Sequence, residues 1–132
     1  MEDVAAIALA LEGVSEGRRW GHRTWLAGGK VFAWERPFSK ADVKRFGDEP
    51  IPDGEILAVT VADLDEKEAV LAAGSRGVFT IEHFNNYPAV LVQLKVVSKR
   101  VLRELLVDGW LAAAPPALAD EHAAALTKRG RR

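Results

Sequence analysis

Apolar residues near the N-terminus recur at helical intervals. From Val4 to Leu11 they are separated by three or four positions, which places them on one face of a helix. Asp3 has the short acidic side chain typical of an N-cap, and Gly13 is a residue that commonly ends helices. The pattern therefore predicts a first helix that Asp3 caps at its start and Gly13 at its end.

Shorter segments with strand character follow. We predict strands at residues 18–21, 24–27 and 30–36, of which the third is the best formed. Gly28 and Gly29 separate the second and third strands, and glycines supply the positive φ that a two-residue hairpin turn requires. The sequence thus predicts a β-hairpin centred on this glycine pair.

The third strand is predicted to alternate between two faces. At a period of two, Phe32 and Trp34 lie on one face, while Val31 and Ala33 lie on the other. We expect Phe32 and Trp34 to share the buried face and to form part of the core.

The middle of the chain is predicted to contain two helices around a central strand. Ser39 can cap a short helix that ends at Gly47. Residues 55–62 are nearly all apolar, as in a strand that is covered on both faces. Asp63 then resembles the start of a capping box and opens a helix that ends at Gly74.

The second half of the chain repeats this alternation. Residues 77–81 are predicted to be a short strand or extended segment, residues 82–88 a turn-rich connection, and residues 89–95 a strong strand. Ser98 can cap a long amphipathic helix, which Pro115 interrupts.

These elements predict the fold class. A chain of 132 residues is one domain by the usual expectation. We predict an α+β domain with a single twisted antiparallel sheet of about five strands, on which the N-terminal and the long C-terminal helix pack. The domain's core would span residues 4–114, followed by an extra helix at 115–126 and a basic, frayed tail at 127–132.

Composition narrows the class of protein. The chain has no cysteine, which excludes disulfides, thiolate catalysis and cysteine-ligated zinc. No apolar run approaches the ~20 residues that a membrane span needs, and the acidic start does not resemble a signal peptide. These features predict a cytoplasmic protein that has no membrane partner.

Charge is segregated along the chain although its net value is only −1. Residues 16–47 contain eight basic and three acidic side chains, a net charge of +5. Residues 48–68 contain eight acidic side chains and one lysine, a net charge of −7. The basic segment includes the predicted hairpin, which makes that hairpin a candidate contact for an anionic partner.

Four segments resemble the MmcQ/YjbR family. They are residues 11–15 (Leu-Glu-Gly-Val-Ser), 28–34 (Gly-Gly-Lys-Val-Phe-Ala-Trp), 83–92 (His-Phe-Asn-Asn-Tyr-Pro-Ala-Val-Leu-Val) and the helix at 104–111. Their order and spacing together carry the resemblance. It implies a frataxin-like fold with a double-wing architecture of the kind associated with DNA binding, and it carries over no pattern of catalytic residues.

The first functional hypothesis is a non-enzymatic DNA-binding protein that acts through the basic, aromatic hairpin. Arginine side chains on a two-stranded ribbon can pair with phosphates, and tryptophans can stack on bases. The predicted contacts are Arg18, Arg19, His22, Arg23 and Lys30. The alternative is that the tryptophans are buried in the core and the arginines are simply solvated.

The second hypothesis is a small-ligand or protein-interaction module. Histidine and aromatic residues ahead of a central strand can line a pocket, and His83, Phe84 and Tyr87 have this position. His22 lies near another strand end and could meet them in space. The same residues could instead form a turn in which Phe84 and Tyr87 anchor the packing.

No constellation in the sequence predicts catalysis, a cofactor or a metal. Gly28, Gly29 and Lys30 lack the spacing of a phosphate-binding loop. The nucleophile-elbow motif G-x-S-x-G is absent. The histidines have neither HxH nor HxxxH spacing. We therefore expect a protein that binds a partner but catalyses no reaction.

Overall fold

The computed structural model describes residues 1–116, which contain six strands and four α-helices. In chain order these are α1 (Glu2–Leu9), β1 (Val14–Arg19), β2 (His22–Ala27), β3 (Lys30–Glu35), α2 (Lys40–Phe46), β4 (Ile56–Thr60), α3 (Leu64–Ala72), β5 (Val78–Phe79), β6 (Ala89–Gln93) and α4 (Lys99–Ala113). A single turn of 3-10 helix, Glu82–Phe84, lies before β6. Of the predicted extra helix at 115–126 and tail at 127–132, residues 117–132 lie outside the described residues.

All six strands of the described region belong to one antiparallel sheet, in the order β1-β2-β3-β4-β6-β5. The predicted α+β class with a single antiparallel sheet is confirmed. The sheet has one more strand than the approximate prediction because the two-residue strand β5 pairs with β6 at one edge.

One face of the sheet is covered by α1 and α4 and holds the larger core cluster. Helix α4 has the apolar stripe that its sequence predicts, with Leu102, Leu105, Leu106 and Trp110 all buried. The indole N–H of Trp110 donates to the carbonyl oxygen of Glu12 at 2.8 Å, which joins α4 to the segment after α1. We call this the helical face of the sheet.

Side-chain caps start three of the helices as predicted. The side chains of Ser39, Asp63 and Ser98 each accept a hydrogen bond from the backbone N–H three residues on. The prediction that Asp3 caps α1 is wrong, because the helix begins at Glu2 after Met1 and has no side-chain cap. Asp3 instead lies in the first turn, where the helix dipole favours a carboxylate. The predicted end at Gly13 is also wrong, because the helix ends at Leu9 with Ala10 as its C-cap.

The first hairpin begins earlier than predicted. Strand β1 spans Val14–Arg19 rather than 18–21, and Trp20 and Gly21 form a two-residue turn into β2. Both turn residues have positive φ, 56° for Trp20 and 77° for Gly21. This is the pattern of a primed hairpin turn. The sequence does not predict the turn, because tryptophan is not one of the residues typical of its first position.

A β-bulge in β3 overturns the predicted alternation. Trp25 lies opposite Ala33, but Leu26 lies opposite Val31, so Phe32 is the extra residue. Phe32 and Ala33 both join the cluster on the helical face, while Trp34 packs on the other face. The prediction that Phe32 and Trp34 share a face is therefore wrong, although Phe32 is fully buried as expected.

The second face of the sheet has a smaller core cluster. Buried residues from β4, β6 and the 3-10 turn pack there with the half-buried side chains of Trp34, Phe38, Phe46 and Phe79. Helix α2 contributes Phe46 to this cluster. We call this the open face, because α2 and the 3-10 turn leave a cleft above the first three strands.

Candidate functional site

The cleft on the open face has a volume of about 760 Å³ and lies between the first hairpin and the segment around the 3-10 turn. Its floor is formed by side chains of β2, β3 and β4 that point away from the helical face. The side chains that line it are Arg19, Trp20, His22, Thr24, Val31, Trp34, Glu35, Arg36, Pro37, Phe38, Ser39, Thr60, His83, Phe84 and Tyr87.

Three aromatic rings form the centre of the lining. Trp34 and Phe84 are stacked, with centroids 6.3 Å apart and an interplanar angle of 29°. Tyr87 meets both rings edge-on, at 6.5 Å from Trp34 and 5.6 Å from Phe84. These distances lie in the range of favourable aromatic pairs. The bulge at Phe32 brings Trp34 into this cluster instead of the core behind it.

A buried lysine holds the wall that carries Phe84 and Tyr87. Lys67 of α3 is only 6% exposed, and its Nζ donates to the carbonyl oxygens of Phe84 at 2.5 Å and Tyr87 at 2.9 Å. Burial lowers the pKa of Lys67 below its ordinary value, because the charged form loses its hydration. The two hydrogen bonds fix the backbone of the wall independently of its side chains.

A buried carboxylate holds the opposite wall. Asp42 of α2 is 2% exposed and accepts hydrogen bonds from the backbone N–H of Ser39 and the guanidinium of Arg36, both at 2.9 Å. Burial raises the pKa of Asp42, but the hydrogen bonds from Ser39 and Arg36 outweigh this, so the pKa lies below its ordinary value. This network fixes the segment that contributes Pro37 and Phe38.

The five hairpin residues predicted to contact DNA lie on different surfaces of the structure. Arg19 and His22 are cross-strand partners and line the cleft. Arg18 and Arg23 form the next pair and therefore point to the other face of the sheet. Lys30 is exposed at the far end of the hairpin, opposite Ala27. No single surface collects all five.

The guanidinium of Arg23 is paired with carboxylates of the same protein. It forms two hydrogen bonds to the carboxylate of Glu16, both at 3.1 Å, and one to Glu2 at 2.7 Å. Its guanidinium lies 5.4 Å from the ring centroid of Trp25, whose indole N–H also donates to Glu16. Hydrogen bonds from Arg23 lower the pKa of Glu16, and those to Glu16 and Glu2 raise the pKa of Arg23. Arg23 thus ties α1 to the hairpin.

The four residues of the second hypothesis come together. His22, His83, Phe84 and Tyr87 all line the cleft, although they are separated by about half of the chain. Phe84 is buried in the aromatic cluster, whereas Tyr87 is 49% exposed. Phe84 is therefore also the packing anchor that the alternative interpretation expected. Within residues 1–116, no three histidine or acidic side chains are grouped as metal ligands.

Sequence reasoning missed the residues that shape the cleft. Trp34 was assigned to the core because the bulge was not predicted. Lys67 was assigned to no role, since a single lysine among acidic residues on α3 resembles a solvated helix face. The sequence predicted only the cap at Ser39 in this segment, and the pairing of Asp42 with Arg36 could not be read from the chain.

Comparisons with known proteins agree with this architecture. The model of the YjbR family matches residues 9–112. The uncharacterized proteins Rv2570 of Mycobacterium tuberculosis and Mb2600 of Mycobacterium bovis are each 44% identical to the chain over 97 residues, which cover 71% of this chain and 74% of the relative. No solved structure gives a significant match. The chain therefore belongs to the YjbR family, as the resemblance in its sequence indicated.

None of the helices within residues 1–116 combines the length and the apolar character needed to cross a bilayer.

Proposed function

We propose that this protein is a ligand-binding module that holds a small aromatic molecule in the cleft of the open face and carries out no chemistry on it. The observation that carries the proposal is the cleft itself. Its volume of about 760 Å³ lies within the usual range of small-molecule sites, and its lining combines a cluster of aromatic rings with a few polar groups.

The walls of the cleft support this proposal because the protein's own hydrogen bonds hold them in place. Lys67 secures the segment of Phe84 and Tyr87, and Asp42 secures the segment before α2. A site that is ordered before binding loses less conformational freedom when the ligand arrives. Such preorganisation is typical of small-molecule sites.

A neutral aromatic probe tests the proposal. Phenylnaphthylamine, whose fluorescence rises in apolar surroundings, should bind saturably and shift backbone amide signals of β2, β3 and residues 82–88. Tyr87→Ala should weaken this binding about threefold to tenfold, the value of one aromatic pair. The substitution leaves the Tyr87 carbonyl, and thus the Lys67 hydrogen bond, unchanged.

Leu111→Ala is the matched control, because Leu111 is an exposed apolar residue of α4. It should bind the probe as the wild type does. The proposal would be abandoned if the probe showed no saturable binding, if its shifts mapped to α4, or if the two variants lost equal affinity.

DNA binding is the second candidate, and a different observation favours it. Arg18, Arg19 and Trp20 are all exposed at the tip of the β1–β2 hairpin, where a wing could approach a nucleic acid backbone. Phosphate contacts would dominate such binding, so affinity should fall steeply with salt.

Fluorescence anisotropy with a labelled duplex at low salt tests DNA binding. The double variant Arg18→Gln, Arg19→Gln should weaken binding for every duplex sequence and reduce its salt dependence. The double variant Arg100→Gln, Arg103→Gln, on two exposed arginines of α4, serves as the charge-matched control. A dissociation constant weaker than ~100 μM at low salt, the weak end of non-specific binding, would remove this candidate.

A further inference from the structure

We infer that the ligand of the cleft is a flat aromatic molecule that carries a negative charge, with its ring against the aromatic cluster and its anionic oxygens at Arg19. This inference rests on the proposed function and specifies the chemistry of its ligand. Three features of the cleft carry it: the rings at its centre, the charges on its lining and the turn at its rim.

The rings define the flat part of the ligand. Tyr87 stands edge-on to Trp34 and Phe84 and remains 49% exposed as a residue, so it is accessible to a ligand. Trp20 borders the cleft from the opposite rim. Aromatic side chains at two rims of one cleft suit a planar ring system, which can stack or meet them edge-on.

The charges define the second part of the ligand. Three residues with permanent charge line the cleft: Arg19, Glu35 and Arg36. Glu35 accepts the backbone N–H of Arg23 at 3.3 Å and lies 3.7 Å from His22 Nδ1.

Arg36 is paired with Asp42 and lies over the ring of Phe84 at 5.6 Å. Within residues 1–116, the guanidinium of Arg19 has neither an ion pair nor a hydrogen bond. Arg19 is therefore the cation on this lining that is left available to pair with an anion.

The turn at the rim has a conformation that its sequence does not favour. Trp20 has a φ of 56° and is 95% exposed. Asparagine and glycine are the residues preferred at this turn position, and a bulky side chain at positive φ is strained. Strain of this kind is typical of binding sites. A large exposed ring in a strained turn beside a cleft is well placed to close over a bound aromatic molecule.

Two probes that differ by one sulfonate group, and therefore in charge, test the inference. Anilinonaphthalene sulfonate has the rings of phenylnaphthylamine plus a sulfonate group. The wild-type protein should bind the sulfonate about fivefold more tightly than the neutral probe, as expected for one exposed ion pair. Arg19→Gln should remove this preference and leave the affinity for the neutral probe nearly unchanged.

Arg103→Gln has the same change of charge on an exposed residue of α4, and it should retain the preference. Equal affinities for both probes in the wild type would overturn the inference while leaving the proposed ligand site in place. Failure of both probes to bind would instead remove the proposed function. Loss of the preference in Arg103→Gln as well as Arg19→Gln would show a general charge effect and overturn the role of Arg19.

Trp20→Asn provides a second, independent test. If Trp20 contacts the ligand, replacing it with asparagine should relieve the backbone strain of the turn and raise the Tm by a few degrees. The same substitution should weaken binding of both probes about threefold or more. If Trp20 instead stabilises the fold, its replacement should lower the Tm. A variant with a higher Tm and unchanged affinity for both probes would contradict the role of Trp20.

Discussion

At the scale of single residues, Lys67 has the most unusual environment. Its ammonium group is buried, and within the described residues its hydrogen bonds go to two backbone carbonyls rather than to a carboxylate. Those carbonyls belong to Phe84 and Tyr87, and each also accepts one backbone N–H, from Tyr87 and Ala89 respectively. Burying a charged ammonium group costs free energy because the group loses its hydration. In this protein the buried group orders the wall of the cleft.

We predict that Lys67→Met lowers the free energy of unfolding by about 1–3 kcal/mol, because it removes two hydrogen bonds from the ammonium group to carbonyls that keep only their backbone donors. Urea unfolding measures this change. Lys40→Met, on an exposed lysine at the start of α2, should change stability by less than ~0.5 kcal/mol. Equal effects of the two substitutions would show that the Lys67 hydrogen bonds do not stabilise the fold.

The pH dependence of stability gives Lys67 a distinct signature. Its pKa in the folded protein lies below the ordinary value of 10.5 because of burial. Between these two values the unfolded chain binds more protons, so the free energy of unfolding contributed by Lys67 rises with pH. The difference in stability between the wild type and Lys67→Met should therefore widen from neutral pH towards pH 10.5. A constant difference would contradict this.

At the scale of elements, Gly109 sets how closely α4 approaches the sheet. A Cβ at this position would lie 2.9 Å from the carbonyl oxygen of Thr60 and 2.9 Å from Cγ1 of Val59. A glycine in a helix interior normally costs about 1 kcal/mol relative to alanine. The absence of a side chain here instead permits contact between α4 and β4.

We predict that Gly109→Ala destabilises the protein by about 1–3 kcal/mol, as overpacking of a close contact does. The sign opposes the gain expected from helix propensity alone, which makes the test decisive. Thermal or urea unfolding measures it. Arg103→Ala, at an exposed position of the same helix, should stay within ~0.5 kcal/mol of the wild type. A more stable Gly109→Ala variant would show that the backbone shifts to accommodate the added Cβ where α4 packs on β4.

Elements specified by local chemistry could be predicted from the sequence. Ser39, Asp63 and Ser98 cap helices where the pattern placed them, and Gly28 and Gly29 form the second hairpin turn with φ of 57° and 85°. The bulge at Phe32 could not be predicted, because it depends on the register between two strands rather than on the residues of one.

The candidate site shows the same limit. His22, His83, Phe84 and Tyr87 could be identified because histidine and aromatic residues near strand ends can line a pocket. Which of the arginines would join them depended on the strand pairing. Arg18 and Arg19 are neighbours in the chain with identical side chains, and only the register of the hairpin puts Arg19 in the cleft and Arg18 behind it.

At the scale of the whole molecule, the two faces of the sheet are held by separate charge networks. On the helical face, Arg23 joins β2 to Glu16 of β1 and Glu2 of α1. On the open face, Arg36 joins the end of β3 to Asp42 of α2. In both networks the carboxylate that faces the sheet, Glu16 or Asp42, has a lowered pKa. The stability of the whole fold should therefore depend on these carboxylates remaining ionised.

The buried Asp42 allows this dependence to be tested. Its pKa when folded lies below the ordinary value of 3.8, so between the two values the unfolded chain binds more protons. The stabilisation from Asp42 is then fully present above about pH 4 and is lost as the pH falls through its folded pKa. Asp42→Asn should cost about 1.5–3 kcal/mol at pH 7, the value of hydrogen bonds to a charged group.

The difference between the wild type and Asp42→Asn should shrink in urea unfolding as the pH is lowered through the folded pKa. Asp48→Asn, in the exposed loop after α2, should remain within ~0.5 kcal/mol of the wild type at neutral pH. A cost for Asp42→Asn that stayed the same at acid pH would mean that Asp42 contributes by shape and hydrogen bonding, with no contribution from its charge.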